Sequence, residues 1–582
     1  MDRTPLTTGA SEAGPRRLAW AAALFLLALT IRVAHLREIR SSPLFLYPVV
    51  DALGFDKQAQ AVARGEILGA GPFFQAPLYP YLLGGIYALF GRNLLVARLL
   101  QMAAGSLSVV LLFLIGRRIF GERAGVAAGI MGALYGTFIV YEGDLLREFL
   151  TLFLNLLFLL LLLRAEERRT GPAWYLAGLA LGLSAICRET VLLFAPLAAA
   201  WIAFRLRPRE SWRRVLLAVA LVAAGSLCAI LPVTLRNRLV TGVWTLVSYQ
   251  GGIAFYIGNN PDYDRTSTLH SGHEWEEFSR LPERRAGVVT PAGASAWFYR
   301  EAFRFIREEP GAWLGLLGKK FVLFWNAWEA DANNSLDHWR EHSRTLSLLL
   351  WRSGPLILPF GLLAPLALLG LFLALGERRG LLPALMLLTY LGALLLFIVL
   401  ARYRLAAVPP LLLFAGRAVD WLGETLTRRR WRPALAAAGA LLCLALLVNA
   451  DWYGIRRSRT LSVHSVLGSQ LMVRDPPRAE AELRLAIAAG DVDAADHYNL
   501  GILLFGRNDL PAAAAEFRRA LALRPSYADA AYNLGVTLRQ AGDHAGAREA
   551  FRTAAALEPA NAETRRQMEA VRPGITVGSG RP

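Results

Sequence analysis

The stretch LTLFLNLLFLLLLL, Leu150–Leu163, decides the fold. It carries no charge, and Asn155 is its one strongly polar side chain. A helix apolar on every side lies in a membrane or in the centre of a large core. A second run of the same kind, LLPALMLLTYLGALLLFIVL, occupies Leu381–Leu400. Working outward from these two, eleven candidate spans emerge: 18–36, 94–116, 124–141, 145–163, 173–187, 190–206, 214–235, 354–375, 381–400, 405–423 and 433–450. Each approaches the ~20 residues that cross a bilayer. The short pair 173–187 and 190–206 abuts at Arg188-Glu189, and the apolar segment Leu78–Phe90 reads as interfacial or re-entrant.

Composition agrees. Of 582 residues 55% are hydrophobic and 19% charged, and the mean hydropathy is +0.38. Disorder would need the opposite balance. The net charge of +18 would fit nucleic-acid binding, but much of the excess Arg lies in short clusters between apolar runs, with no basic, aromatic-interleaved recognition segment. No nucleic-acid partner is expected. Lys occurs only at positions 57, 319 and 320, the bias of a GC-rich bacterial genome. The N-terminal run is long and shows no small-x-small cleavage site before Arg37, so it reads as an uncleaved span.

Arg also sets orientation. Arg16-Arg17, Arg117-Arg118, Arg164 with Arg168-Arg169, Arg205 to Arg214, Arg378-Arg379 and Arg428 to Arg432 alternate so as to share one face, the cytoplasmic one. The opposite face then receives the loops 37–93, 142–144, 188–189, 236–353 and 401–404. An odd number of spans places the C-terminus outside, so the reading is a multi-pass bacterial inner-membrane protein with its repeats periplasmic.

The C-terminal part repeats. Tyr498-Asn499-Leu500-Gly501 recurs as Tyr532-Asn533-Leu534-Gly535, and Phe517, Ala520 and Pro525 recur as Phe551, Ala554 and Pro559, each 34 residues on. That is the period of the tetratricopeptide repeat. Ala479–Ala489 reads as the second helix of an earlier, degenerate unit. The fold class is therefore all-α: a polytopic membrane helical bundle followed by a tetratricopeptide-repeat solenoid. Its parts are a cytoplasmic tail (1–17), a membrane domain (18–450) with outer loops 37–93 and 236–353, a linker (451–477), the repeats (478–565) and a disordered tail (566–582). Asp496, His497, Asp543 and His544 read as solvated turn and surface residues.

Cys187, Cys228 and Cys443 are odd in number and widely spaced, which fits packing rather than disulfides or zinc. His270 and His273, and His338 and His342 at i, i+4 spacing, could form metal pairs, but no H-E-x-x-H motif accompanies them, so no metal ligand is assigned and a divalent metal stays open. Asn333-Asn334-Ser335 matches the glycosylation acceptor pattern, a coincidence in a bacterium. No Walker loop is present, and no G-x-G-x-x-G follows a strand. A soluble nucleotide donor therefore lacks a site.

The outer loops hold the unusual residues. The first carries Asp51, Asp56, Lys57 and Glu66, then Gln75-Ala76-Pro77-Leu78-Tyr79-Pro80. Glu142, Asp144, Arg147 and Glu148 stand on the lip of a span, Arg188-Glu189 between two spans, and Arg402-Tyr403-Arg404 at the end of another. Charges at membrane depth face a cavity or a partner. Acids and arginines converging on one face suit a phosphorylated lipid, with guanidinium groups on phosphate and a carboxylate taking a proton. Set beside this is the plainer reading of each as a solvated anchor.

These residues resemble a known family. Asp51 through Ala76-Pro77-Leu78-Tyr79-Pro80-Tyr81, Gly91, Ala97-Arg98-Leu99 and Gly116-Arg117-Arg118 look like the start of family-39-type membrane glycosyltransferases, the superfamily of protein O-mannosyltransferases and the lipid A aminoarabinose transferase. Further matches are Glu148, Pro232 with Arg236-Asn237, Gly251-Gly252, Gly258-Asn259-Asn260-Pro261, Phe305-Ile306 with Pro310, Lys320 with Phe324-Trp325 and Glu329, and Arg402-Tyr403-Arg404. The resemblance covers about 15–450, and bacterial members of the group end in such repeats. It implies an inverting transferase that moves a hexosyl or pentosyl unit from a polyprenyl-phosphate donor to a protein or glycolipid acceptor. Asp51 takes the position of the general base. Related chains often read Asp-Glu or Asp-x-Glu there, whereas this one reads Asp51-Ala52-Leu53, so Glu148 is the second acid. Arg402, Arg404, Tyr403, Lys320 and Arg188 are the donor-phosphate candidates, and the repeats would hold a partner protein. Two alternatives stay open: a lipid-linked oligosaccharide polymerase or ligase using a diphosphate donor, and a non-enzymatic membrane scaffold.

Overall fold

The computed structural model describes residues 13–570 apart from 70, 268, 270–272, 331–335, 353, 458–461, 491–492 and 559–561. His270 and Asn333-Asn334-Ser335 lie outside the described residues. Among the described residues the secondary structure is helical, and the one β-feature is a single bridge between Trp351 and Leu358. The chain divides into two compact units. The first is 1–268, 281–332 and 336–458, and the second is 269–280, 333–335 and 459–582.

In the first unit every expected span overlaps helix, but the expected count of eleven is too high. Eight helices are long and apolar enough to cross a membrane, and the pair Glu122–Ala133 and Gly136–Gly143, bent by 50°, makes a ninth if it counts as one span. Helices Gly171–Ala185 and Phe360–Ala374 have 15 residues each, shorter than a full crossing. Leu78–Phe90 is a 13-residue helix.

Local chemistry explains the boundaries. Asn93 caps Leu94–Phe120 by accepting from the backbone N–H groups of Leu95 and Val96 at 3.1 and 3.2 Å. Gly121, at φ +103°, turns the chain directly into Glu122–Ala133. Helix Gly171–Ala185 packs on Trp212–Thr241 through small residues. A Cβ at Gly178 or Gly225 would collide with the facing backbone, and Ser226 Oγ donates to the Gly178 carbonyl at 3.0 Å. Close backbone approach through small residues is how membrane helices associate without a hydrophobic driving force between them. The helix then ends, and the chain reverses at Arg188 into a 3-10 turn, Glu189–Phe194. The abutting pair is thus two helices joined through a short turn that carries Arg188 and Glu189.

The second unit stacks helix pairs. Gly501 faces the Phe517 ring and Gly535 faces the Phe551 ring, so the missing side chain on one helix makes the seat for the aromatic of the next. This explains the 34-residue recurrence of both residue types. A further pair precedes them. Val463–Leu471, within the segment read as a linker, packs on Pro476–Ala488 with Gly468 against Leu483. Two residues read as solvated are not. Asp496 is 1% and His497 7% exposed. Asp496 completes a capping box with Asp493 and accepts from Ser465 Oγ. His497 Nδ1 meets Glu516 at 2.5 Å. Neighbouring helix pairs cover these groups, and a single-repeat reading overlooks that burial. Asp543 is an N-cap that accepts from Gly546 N–H at 2.8 Å, and His544 is exposed.

Candidate active site

Asp51 stands in the first turn of helix Val50–Ala63. The residue before it, Val50, has φ +52°. A β-branched residue rarely adopts that left-handed conformation, and such strain costs roughly 1–3 kcal/mol and collects at functional positions. Two groups hold the Asp51 carboxylate. Gln75 Nε2 donates to Oδ1 at 2.9 Å, and Arg402 Nη1 donates to Oδ2 at 2.6 Å.

Arg402 joins two parts of the chain. Its Nε lies 3.1 Å from Glu148 Oε1, so one guanidinium bridges both acids. Glu148 opens helix Glu148–Arg168 and is also 3.4 Å from Arg188 Nη2 in that short turn. Neither contact to Glu148 is a well-directed hydrogen bond, and catalytic bonds are often loose before substrate arrives. Tyr403 completes the group. Its hydroxyl accepts from Arg402 Nη2 at 3.3 Å, and its ring lies under the guanidinium groups of Arg188 and Arg402 at 4.8 and 5.0 Å. Glu148 and Arg402 are almost fully buried, whereas the Asp51 side chain is 22% exposed. The network therefore opens at Asp51.

The structure thus brings together Asp51, Glu148, Arg188, Arg402 and Tyr403. It sends the other two phosphate candidates elsewhere. Lys320 Nζ donates to the carbonyls of Gly258, Leu395 and Phe397, and it lies 5.0 Å from the Tyr263 ring centroid. It ties the ends of helices Gly251–Gly258 and Leu381–Leu396 together, and burial pulls its ammonium down to about 7. Gly258 permits this approach, since a Cβ there would strike the Phe397 carbonyl. Arg404 donates to the carbonyls of Phe324 and Asn326 at 3.0 and 2.6 Å, pairs with Glu329 at 3.1 Å and covers the Phe360 ring at 3.6 Å.

Other acids named from sequence also have partners. Asp56 is held by Arg92, Tyr87 and Gln60. Glu142 pairs with Arg32 of the first span, seated over Gly105, where a Cβ would overlap its carboxylate. Two site residues were not singled out. Gln75 begins a quoted motif, yet nothing in the spacing ties it to Asp51. Arg147 is 5% exposed, and its Nε and Nη1 have no hydrogen-bond partner among the described residues. It precedes Glu148, acts electrostatically on Arg188 and lies 5.9 Å from the Phe55 ring centroid. Two guanidinium groups (Arg188, Arg402) thus meet two carboxylates (Asp51, Glu148), and a third, Arg147, precedes Glu148 in the chain with unsatisfied donors. Such a cluster can bind an anion and hold a carboxylate ready for a proton.

Comparisons with known proteins follow the same division. Residues 74–235 match the family model described as dolichyl-phosphate-mannose-protein mannosyltransferase. That range includes Gln75, Arg147, Glu148 and Arg188. Residues 471–527 and 498–562 match a tetratricopeptide-repeat model. Undecaprenyl phosphate-alpha-4-amino-4-deoxy-L-arabinose arabinosyl transferase 2 of Pseudomonas fluorescens (strain Pf0-1) is 27% identical over 266 residues, 44% of this chain and 41% of that protein. The chain spans about two fifths of the length of that curated relative. Among solved structures, archaeal oligosaccharyltransferase AglB from Archaeoglobus fulgidus, in complex with an inhibitory peptide and a dolichol-phosphate, aligns over 80% of this chain and 58% of its own at 14% identity and TM-score 0.44. ArnT from Cupriavidus metallidurans bound to undecaprenyl phosphate aligns over 90% and 80% at 15% identity and TM-score 0.39. Within the membrane part, residues 74–235 are thus similar to the dolichyl-phosphate-mannose-protein mannosyltransferase model, and residues 471–562 to the tetratricopeptide repeat.

Proposed function

We propose that the chain is an inverting membrane glycosyltransferase that moves a sugar from a polyprenyl-phosphate donor to a protein or glycolipid acceptor on the outer face of the bacterial inner membrane. One observation carries this reading. A partly exposed carboxylate, Asp51, shares Arg402 with a buried one, Glu148, beside the hydrogen-bond-deficient Arg147. In transfer with inversion, the acceptor hydroxyl attacks the anomeric carbon while the C–O bond to the lipid phosphate breaks, through an oxocarbenium-like state. Asp51 takes the hydroxyl proton. Gln75 and Arg402 fix the plane of its carboxylate. Arg147 and Arg188 face the phosphate and stabilise the charge that grows on it as it leaves. Glu148 holds Arg402 and Arg188 in place, and Tyr403 supports both from beneath. Lys320 and Arg404 act only through the scaffold.

The aminoarabinose transferase named above favours a pentosyl donor and the mannosyltransferase family a hexosyl one, and 27% identity does not choose between them. The alternation of Arg clusters supports a cytoplasmic N-terminus and repeats on the opposite side. A reporter fused after Arg524 is expected to be active only outside the cytoplasm. The direct test is transfer by the purified chain from polyprenyl-monophosphate sugars. Turnover of diphosphate-linked donors alone would turn the assignment to a polymerase or ligase.

A further inference from the structure

The sequence His338-Trp339-Arg340-Glu341-His342 places three metal-binding side chains at i, i+3 and i+4. On a helix those positions share one face. It lies in the second outer loop, where Leu336–Glu341 is helical and His342 follows at its end. None of the three belongs to the cluster around Asp51.

The geometry is that of a metal site. One ligand atom from each of His338, Glu341 and His342 lies within 4.8 Å of the others. The two imidazole rings stand 4.3 Å apart between centroids. His342 Nδ1 lies 3.0 Å from the His338 carbonyl. A carbonyl only accepts, so Nδ1 carries the hydrogen and the neutral ring presents its lone pair on Nε2. A hydrogen bond to one ring nitrogen that fixes the tautomer and aims the other is the usual support behind a metal-bound histidine. The His338 ring is positioned by Ser42, whose Oγ lies 2.9 Å from Nε2. Glu341 is exposed and makes no ion pair among the described residues, so its flexible carboxylate can swing inward. Tetrahedral ligands around zinc are roughly 3.3 Å apart, so closing from 4.8 Å needs a shift of up to about 1.5 Å.

We propose that His338, Glu341 and His342 bind one transition-metal ion, zinc by ligand chemistry, with a fourth position left to water. Two imidazoles and one carboxylate suit zinc, whereas calcium and magnesium favour oxygen ligands throughout. The ion has a structural consequence. Ser42, which holds His338, also caps the short helix Pro43–Leu46 by accepting from Leu44 N–H at 3.3 Å, and the chain then runs on to Asp51. Ordering His338 therefore ties the second outer loop to the segment leading to Asp51. The inference does not depend on the proposed transfer reaction.

The test uses the full chain in detergent, stripped with chelator and dialysed against Zn2+, with bound metal measured by mass spectrometry and Co2+ substituted for its visible absorption. Wild type is expected to retain about one zinc ion per chain and to give the intense bands of tetrahedral cobalt. His342→Ala should bind at least about a hundredfold more weakly, since supporting groups alone are worth 10–100-fold. Glu341→Gln is a second variant at an exposed position that touches neither the Ser42 bond nor the ring tautomer, so weakened binding there cannot be ascribed to misfolding. Equal zinc content in wild type and both variants, or no bound zinc in wild type, would overturn the proposal.

Discussion

Arg402 and Arg404 stand two residues apart in one short helical turn, Ala401–Arg404, yet they belong to two different networks. Residues at i and i+2 of a helix do not face the same way. Arg402 points to Asp51 and Glu148 in a network that is open at Asp51, and Arg147, the neighbour of Glu148 in the chain, keeps unsatisfied donors. Arg404 points to Glu329, which also accepts from the hydroxyls of Tyr135 and Thr137. That second network is closed, with Arg404 at 2% and Glu329 at 6% exposure. Two buried arginines of one motif thus do different work: one joins a partly exposed acid to a buried one, and the other pins the span that follows to the turn after Trp325. Burial and charge do not distinguish them. Nor do unsatisfied donors, since Nε of both Arg402 and Arg404 lacks a hydrogen bond; the partial exposure of Asp51, at 22% against 6% for Glu329, does.

The comparison breaks most sharply at Asp51. Asp51→Asn keeps the shape and removes the base, so transfer should fall by about 10²–10⁴-fold, the usual worth of a positioned acid or base, with thermal stability near wild type. Transfer at the wild-type rate would take the base role from Asp51. Arg404→Met should do the reverse. It leaves Glu329 buried without its cation, which typically costs about 3–5 kcal/mol of stability, while the donor KM of the folded fraction stays unchanged. Adding Glu329→Gln should recover much of that loss, and a double-mutant cycle in denaturant measures the coupling. A raised donor KM in Arg404→Met would return Arg404 to the phosphate site.

A smaller effect is expected at Arg147. Arg147→Gln should raise the donor KM and lower kcat by about 10–100-fold together, because a phosphate contact that strengthens as the leaving group charges acts on both. Stability should rise slightly or hold, since the variant removes a buried charge that lacks a partner. Kinetics equal to wild type, or a clear loss of stability, would make Arg147 part of the scaffold instead.

The sequence carried the helical class, the long spans and the repeat period, because hydrophobic runs and a 34-residue recurrence are local signals, and it overcounted where an apolar run folds as a helix of 15 residues. It also carried five residues of the cluster, since charges at the ends of spans are conspicuous. It could not sort Arg402 from Arg404, because that depends on where a single helical turn points. Nor did it single out Gln75, 24 residues from Asp51, or separate Arg147 from its neighbours, because hydrogen-bond satisfaction is a property of the assembled bundle. His338 and His342 were visible as a pair. Reading Glu341 at i+3 as well as the motif in its commoner order would have completed the trio. Asp496 and His497 failed as solvated residues for a related reason: the surface of one repeat is the interior of the next.

The repeats give the mildest expected effect and sharpen the comparison from outside. Among the described residues, those named in the two networks all belong to the first unit. Removing 459–582 should therefore leave the donor KM, the Asp51→Asn defect and the stability cost of Arg404→Met unchanged. A repeat array offers a concave surface for an extended chain or a helix, and this one buries Asp496 and His497 in packing rather than offering them for chemistry. On the proposed function its contribution would be local concentration of an acceptor or partner protein, which raises effective affinity without a new contact at the reacting atoms. The truncated chain should transfer to a small soluble acceptor as wild type does, and should show a raised KM, by about tenfold or more, only for an acceptor long enough to reach the array. Loss of both activities in a folded truncation would mean that the array shapes one of the two networks after all, and the donor KM together with the Arg404→Met stability cost would show which.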